Sequence, residues 1–129
     1  MPDSPSALTR TCTFRLEGVL VARFLAGAEV SVDDARENLV ATARLAAGRP
    51  LPVLVDLRGI RSQSAEARAL FAGPAAAEVS TAVALLIDSP VSRVVGNFFL
   101  GFNRPLTPTR LFTDEPEARA WLTTFLRRA

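Results

Sequence analysis

The chain has 129 residues, 49% of them hydrophobic, with a formal net charge of +2. That length suits one domain, residues 1–129, able to bury roughly two-thirds of its unfolded surface, and so apolar a composition excludes a disordered chain. All 15 basic residues are arginine, Cys12 is the single cysteine, and lysine, histidine and tyrosine are absent.

These absences thin out the available chemistry. Ser-His-Asp and Cys-His units, a Schiff-base lysine, a Walker lysine and a usual structural zinc site each lack a member. Carboxylates, hydroxyls and arginine remain for acid–base work. The expectation is therefore a non-enzyme with no catalytic residue, no metal and no cofactor. The pI of 9.9 reflects the lack of groups titrating between the carboxylates and arginine, apart from Cys12 and the α-amino group. The arginines are scattered among acids rather than gathered in a stripe, so no nucleic-acid partner is expected. The longest strongly apolar run, Val83–Ile87, is far short of the roughly 20 residues of a membrane span. "MPDSPSA" lacks the basic and apolar regions of a signal peptide. Residues 1–6 read as a disordered tail, and the expected location is cytoplasmic. A lone cysteine agrees with a reducing compartment.

In chain order, residues 7–16 alternate, with Leu8, Cys12, Phe14 and Leu16 on one face of a half-buried strand. Glu17-Gly18 signals a turn and 19–24 the returning strand, giving an opening β-hairpin. "SVDD" at 31–34 is a capping-box pattern that starts a helix with the stripe Val32, Ala35, Leu39, Ala43 and Ala46, ended by Gly48 and Pro50. "LPVLVDL", 51–57, and "TAVALLID", 81–88, are apolar runs ending in an acid, typical of strands buried on both faces. Between them 64–73 form a short helix with Ala67, Leu70 and Phe71 inward. Ser89-Pro90 opens a helix whose expected core stripe is Val91, Val94, Val95, Phe98 and Phe102. A short strand at 109–113 precedes a last helix, with Ala118, Trp121, Leu122 and Phe125 inward and Arg127 and Arg128 at its C-terminal end. The order β-β-α-β-α-β-α-β-α predicts an α/β fold. Its sheet is mixed but mainly parallel, with about five strands, an N-terminal hairpin and about four helices.

"VLVDLRGIRSQSAEARAL", 53–70, carries a family likeness. It resembles the STAS domains (sulphate transporter and anti-sigma-factor antagonist) of the SpoIIAA-like fold: an apolar strand, Asp-Leu at Asp56-Leu57, and an apolar residue at Ile60. "FTDEPEARAWL", 112–122, is similar to the last strand and helix of that group. The resemblance implies the SpoIIAA-like fold and a regulatory role. Where the family has an aspartate, a phosphoacceptor serine, a further serine and a glycine, this chain has Ser64, Ala65, Glu66 and no glycine. Kinase-switched regulation therefore does not carry over, and the chain reads as a divergent branch.

In a parallel α/β sheet, ligands favour the crevice beyond the carboxyl ends of the strands. Segments 56–64, 88–93 and 113–115 are expected there. They offer Asp56, Arg58, Arg61, Ser62, Ser64, Asp88, Ser89, Ser92 and Arg93 to a small anion or to a phosphorylated or acidic partner segment. The competing reading is that Ser64 and Ser89 are helix caps and the aspartates end strands. "VVGNFFLGFN", 94–103, leaves Phe99 and Leu100 off the expected stripe, beside Gly96 and Gly101. They are the expected interface of a homodimer. The leading expectation is a non-enzymatic regulatory or protein-interaction module. The alternative is a carrier of a small apolar ligand or lipid.

Overall fold

The computed structural model describes residues 5–126, with only the backbone of Phe98. Arg127, Arg128 and residues 1–4, for which expectations were given above, lie outside the described residues. Eight strands and five helices are described, in the order β1 (Ser6–Leu8), β2 (Cys12–Glu17), β3 (Val19–Phe24), β4 (Glu29–Val30), α1 (Val32–Ala46), β5 (Leu51–Asp56), β6 (Ser62–Gln63), α2 (Ala65–Ala72), α3 (Pro74–Val79), β7 (Ser80–Leu86), α4 (Pro90–Phe98), β8 (Thr109–Phe112) and α5 (Glu115–Thr123). A π-helical turn, Phe99–Asn103, extends α4.

Six strands form the main sheet in the order β1-β2-β3-β5-β7-β8. β1, β2 and β3 are antiparallel neighbours, and β3, β5, β7 and β8 run parallel. β4 and β6 pair separately as a two-residue parallel ribbon. The mixed, mainly parallel α/β sheet is as the sequence predicts.

The strand expected over 7–16 is instead a hairpin. The Thr9 N–H donates to Cys12 O at 2.9 Å, which turns the chain through Thr9–Thr11. β1 then folds back on β2, with Ala7 opposite Phe14. Leu8, expected in the core, consequently points out and is 73% exposed. Residues 5 and 6 are not a tail, because Pro5 O accepts from the Leu16 N–H and Ser6 begins β1. The β2–β3 turn needs a left-handed residue, and Gly18 supplies it at φ 78°.

The sheet separates two apolar layers. Cys12, Phe14, Ala22, Phe24 and Leu85 face one side, packed against α1, α2 and α4. Val19, Val21, Leu54, Ala84 and Leu86 face the other, against Ala118 and Leu122 of α5. Phe112, Trp121 and Phe125 flank that second layer.

α1 begins as predicted: Ser31 Oγ accepts from the Asp34 N–H, and the Asp34 carboxylate accepts from the Ser31 N–H. Such a cap is worth about 1 kcal/mol. Its buried face is rotated from the expected stripe. Ala43 is exposed, while Asn38 and Thr42 are buried. Asn38 is drawn inward because its Oδ1 accepts from Thr9 Oγ1 and its Nδ2 donates to Thr11 Oγ1.

α4 is rotated for a similar reason. Ser89 Oγ accepts from the Ser92 N–H, and Ser92 Oγ accepts from the N–H groups of both Asp88 and Ser89. This double cap holds Ser92 inside, fully buried. The buried face becomes Ser92, Val95, Gly96 and Phe99. Gly96 lies so close to β8 that a Cβ there would sit 2.8 Å from Leu111 Cδ2. Phe99, expected at an exposed edge, is therefore buried, and Leu100 is half-buried. Val91 and Val94, expected in the core, are exposed, as is Phe102 at 73%.

Candidate functional site

Hydrogen bonds align the carboxyl ends of the parallel strands. The Leu57 N–H donates to Leu86 O, and the Ile87 N–H to Phe112 O, each at 2.9 Å. Segments 56–64, 88–93 and 113–115 thus leave one end of the sheet side by side, as expected. The helices after β3, β5 and β7 pack on one face of the sheet and α5 on the other. Neighbouring strands therefore send the chain to opposite faces between β7 and β8, where the loops carry Asp88, Ser89, Thr113 and Asp114.

The predicted residues fall into three groups. Asp56 and Arg58 belong to a ladder of alternating charge on the α5 side of the sheet. Arg58 donates to Asp56 through its backbone N–H, Nε and Nη2 at 2.9–3.0 Å. Arg23 Nη1 reaches Asp56 Oδ2 at 2.8 Å, and its Nη2 reaches Glu115 Oε2 at 2.9 Å. Arg119 then bridges Glu115 and Glu17 at 2.9 and 3.0 Å, and Arg15 closes on Glu17 at 3.3 Å. Burial pushes the Asp56 carboxyl up, but the hydrogen bonds from Arg58 and Arg23 outweigh it and hold it below the ordinary range. Arg23 likewise depresses Glu115, and Arg119 depresses Glu17.

The second group is Arg61, Ser62 and Ser64. Arg61 is exposed, 3.6 Å from Glu29. Ser62 lies in β6, and Ser64 Oγ accepts from the Ala67 N–H as the cap of α2. Because Val30 pairs with Gln63, the capped start of α2 stands beside that of α1. Ser62 and Ser64, with Gln63, Arg10, Thr11 and residues 25–31, line a shallow groove, and Arg61 lies outside that lining. The third group is Asp88, Ser89, Ser92 and Arg93, in which both serines are spent on the α4 cap and Asp88 and Arg93 are exposed.

A feature without a local sequence signature is an apolar cavity of about 90 Å³ between the sheet and the helices α1–α4. Phe14, Phe24, Val55, Phe71, Val95 and Phe99 are among its walls. Three polar residues of the lining are already engaged: Asn38 with Thr9 and Thr11, Thr42 with Asn38 O, and Ser80 with Ala76 O. Gln63 also lines it, and Gln63 Oε1 is buried with no hydrogen-bond partner. Gln63 lines the surface groove as well, so it partitions groove from cavity.

Cys12 stands in the same wall, and burial, aided by the Asp56 charge, pushes its thiol up to about 12. The native chain is expected to resist maleimide at pH 8 and to react promptly once unfolded in urea. Equal rates in the two states would contradict this burial.

Among the described residues no group of three or more His, Cys, Asp or Glu could hold a metal ion. No helix among them is long and apolar enough to cross a membrane.

A family model described as a domain of unknown function, DUF7793, matches residues 13–126. No curated protein matches the chain. Among solved structures, an uncharacterised DUF3478-family protein with a SpoIIAA-like fold, from Shewanella loihica PV-4, is 12% identical. The match covers 95% of this chain and 98% of that one, with a TM-score of 0.56. A protein of unknown function from Arthrobacter sp. FB24 is 33% identical over 86% of this chain and 92% of its own, with a TM-score of 0.33. The fold is thus SpoIIAA-like.

Proposed function

The chain belongs to the DUF7793 family, a domain of unknown function, and we propose that it acts as a non-enzymatic, regulatory protein-interaction module docking through the outward face of α4. One observation carries this reading. The double serine cap turns the small residues Ser92 and Gly96 inward, so Val91, Val94 and Phe102 face solvent. A helix that gives part of its buried face to Ser92 and Gly96 and leaves Val91 and Val94 exposed loses burial within its own subunit, and an interface restores it. The likeness to STAS domains points to the same class of function. Ala65 is exposed at the start of α2 and has no hydroxyl, so docking is not switched at that position.

Val94 is 60% exposed, so Val94→Asp is expected to change stability by less than about 0.5 kcal/mol. A photo-crosslinking residue at position 94, in producing cells, is expected to give discrete protein adducts that Val91→Asp, at an exposed position of the same helix, removes. The same residue at exposed Arg36 of α1 is expected to give none. No discrete adduct at 94, or equal adducts at both positions, would remove the reading.

A second reading rests on the cavity. At about 90 Å³ it is smaller than the roughly 150 Å³ cavity that admits benzene, so it favours a compact ligand over an acyl chain. The unpartnered Gln63 Oε1 favours an apolar molecule with one donor, such as a short alcohol. Short alcohols are then expected to raise the melting temperature and slow Cys12 alkylation in urea. Hydrocarbons of equal size would do so less, and Gln63→Leu would abolish the difference. A series with no shift would exclude the site.

A further inference from the structure

Two features of α4 are not explained within the subunit. The first is Gly101. Its φ is not positive, and a Cβ built there meets nothing within 4 Å. Glycine inside a helix costs about 1 kcal/mol relative to alanine. Gly96 has a reason in the contact with Leu111, whereas Gly101 has none among the described residues. A missing Cβ on an open surface suits the close approach of another chain. The second is a pair of end charges. Asp88 just before α4 and Arg104 just after its π-helical turn are both exposed, and no ion pair among the described residues engages either.

Resting on the docking face proposed above, we infer that the occupant of that face is a second copy of this chain. The two α4 helices lie antiparallel across a two-fold axis at the level of residue 96. Val91 of each copy packs on Gly101 of the partner subunit, and Asp88 meets Arg104 of the partner subunit. One axis satisfies both pairings. Val91 and Gly101 stand five residues to either side of position 96, and Asp88 and Arg104 stand eight. A two-fold axis makes every contact twice, so two apolar insertions and two ion pairs arise from four residues. The antiparallel arrangement also sets each helix N-terminus beside the partner's C-terminus, where the helix dipoles attract. Val94 and the exposed Phe102 ring supply the apolar surface between these contacts.

The test is sedimentation equilibrium of the full chain over a concentration series, with the melting temperature recorded for each variant. A dimer is expected. Gly101→Leu has open space within its own subunit, so it should leave folding intact while weakening the dimer about ten-fold or more. Gly101→Ala should raise the melting temperature of the dilute monomer and also weaken association. Asp88→Arg and Arg104→Asp should each weaken it about ten-fold, and the double reversal should restore it. A monomer at every concentration overturns the inference, even if crosslinking at position 94 still supports docking to another protein. A dimer abolished by Val94→Asp, yet indifferent to Gly101→Leu and not restored by the double reversal, overturns the antiparallel pairing and leaves the docking face standing.

Discussion

Replacing Asp56 with alanine should lower stability by about 3 kcal/mol, measured by urea unfolding. Asp56 is 7% exposed and ties Arg58 to Arg23 at the end of a central strand. Removing it leaves two guanidiniums facing each other without the acid between them. Both arginines keep some access to water and Arg23 keeps Glu115, which places the cost at the low end for a broken buried pair. Arg61→Ala should cost less than about 0.5 kcal/mol, because its contact with Glu29 is solvent-exposed on both sides. Near-equal losses for the two variants would show that the ladder does not tie the strand end to α5.

Asp34→Ala should cost about 2 kcal/mol near neutral pH and flatten the acid side of the stability profile. The buried Asp34 carboxylate accepts from Ser31, from Arg10 Nε at 2.7 Å and from Arg10 Nη2. Those bonds, the one from Arg10 foremost, hold its pKa well below the usual carboxylate range. A depressed folded pKa stabilises fully above the unfolded value near 4 and is lost as pH falls through the folded one. Asp56, Glu115 and Glu17 are depressed too. Stability should therefore hold down to about pH 4 and fall below it, less steeply in the variant. With no histidine in the chain, the profile should be nearly level from about pH 5 to 8. On the alkaline side Cys12 reverses the sign. Its thiol rises from 9.0 to about 12 on folding, so stability is full below 9.0 and declines toward 12. Thermal melts across pH would check both limbs, and an acid limb equally steep in Asp34→Ala would exclude this role.

Most elements could be read from local pattern: the capping box at Ser31, the buried runs ending in Asp56 and Asp88, and the last helix after Asp114. The misread faces of α1 and α4 have one physical origin. Hydrophobic periodicity assumes that the largest apolar residues face the core, and a polar residue with a strong local reason to be inside overrules it. Ser92 does so in α4 and Asn38 in α1. The "SPVS" cap was legible at 89–92, but nothing local says that its second serine would be buried and set the helix phase. α3 has no legible pattern, because its six residues make less than two full turns. The ladder could not be read at all, since Arg23 and Glu115 are 92 positions apart and meet only through sheet order. The candidate residues follow the carboxyl ends of the parallel strands but fall into three separate groups. Asp56 and Arg58 bind each other, Ser64, Ser89 and Ser92 close caps, and Ser62 lies in β6.

The ladder also bears on how the two layers respond to heat. Hydration of ions becomes less favourable as temperature rises, so linked ion pairs hold relatively better in hot water than in cold, while apolar burial gains little more. The α5 layer is laced to the sheet by Arg58, Asp56, Arg23, Glu115, Arg119 and Glu17. The layer of α1–α4 carries the cavity, and among the described residues its ion pair to the β1–β2 hairpin is the single one of Arg10 with Asp34 at the hairpin's turn. Warming should therefore loosen the molecule unevenly. The side that bears the exposed face of α4 gives way first, and α5 holds β3 and β5 until the sheet itself parts.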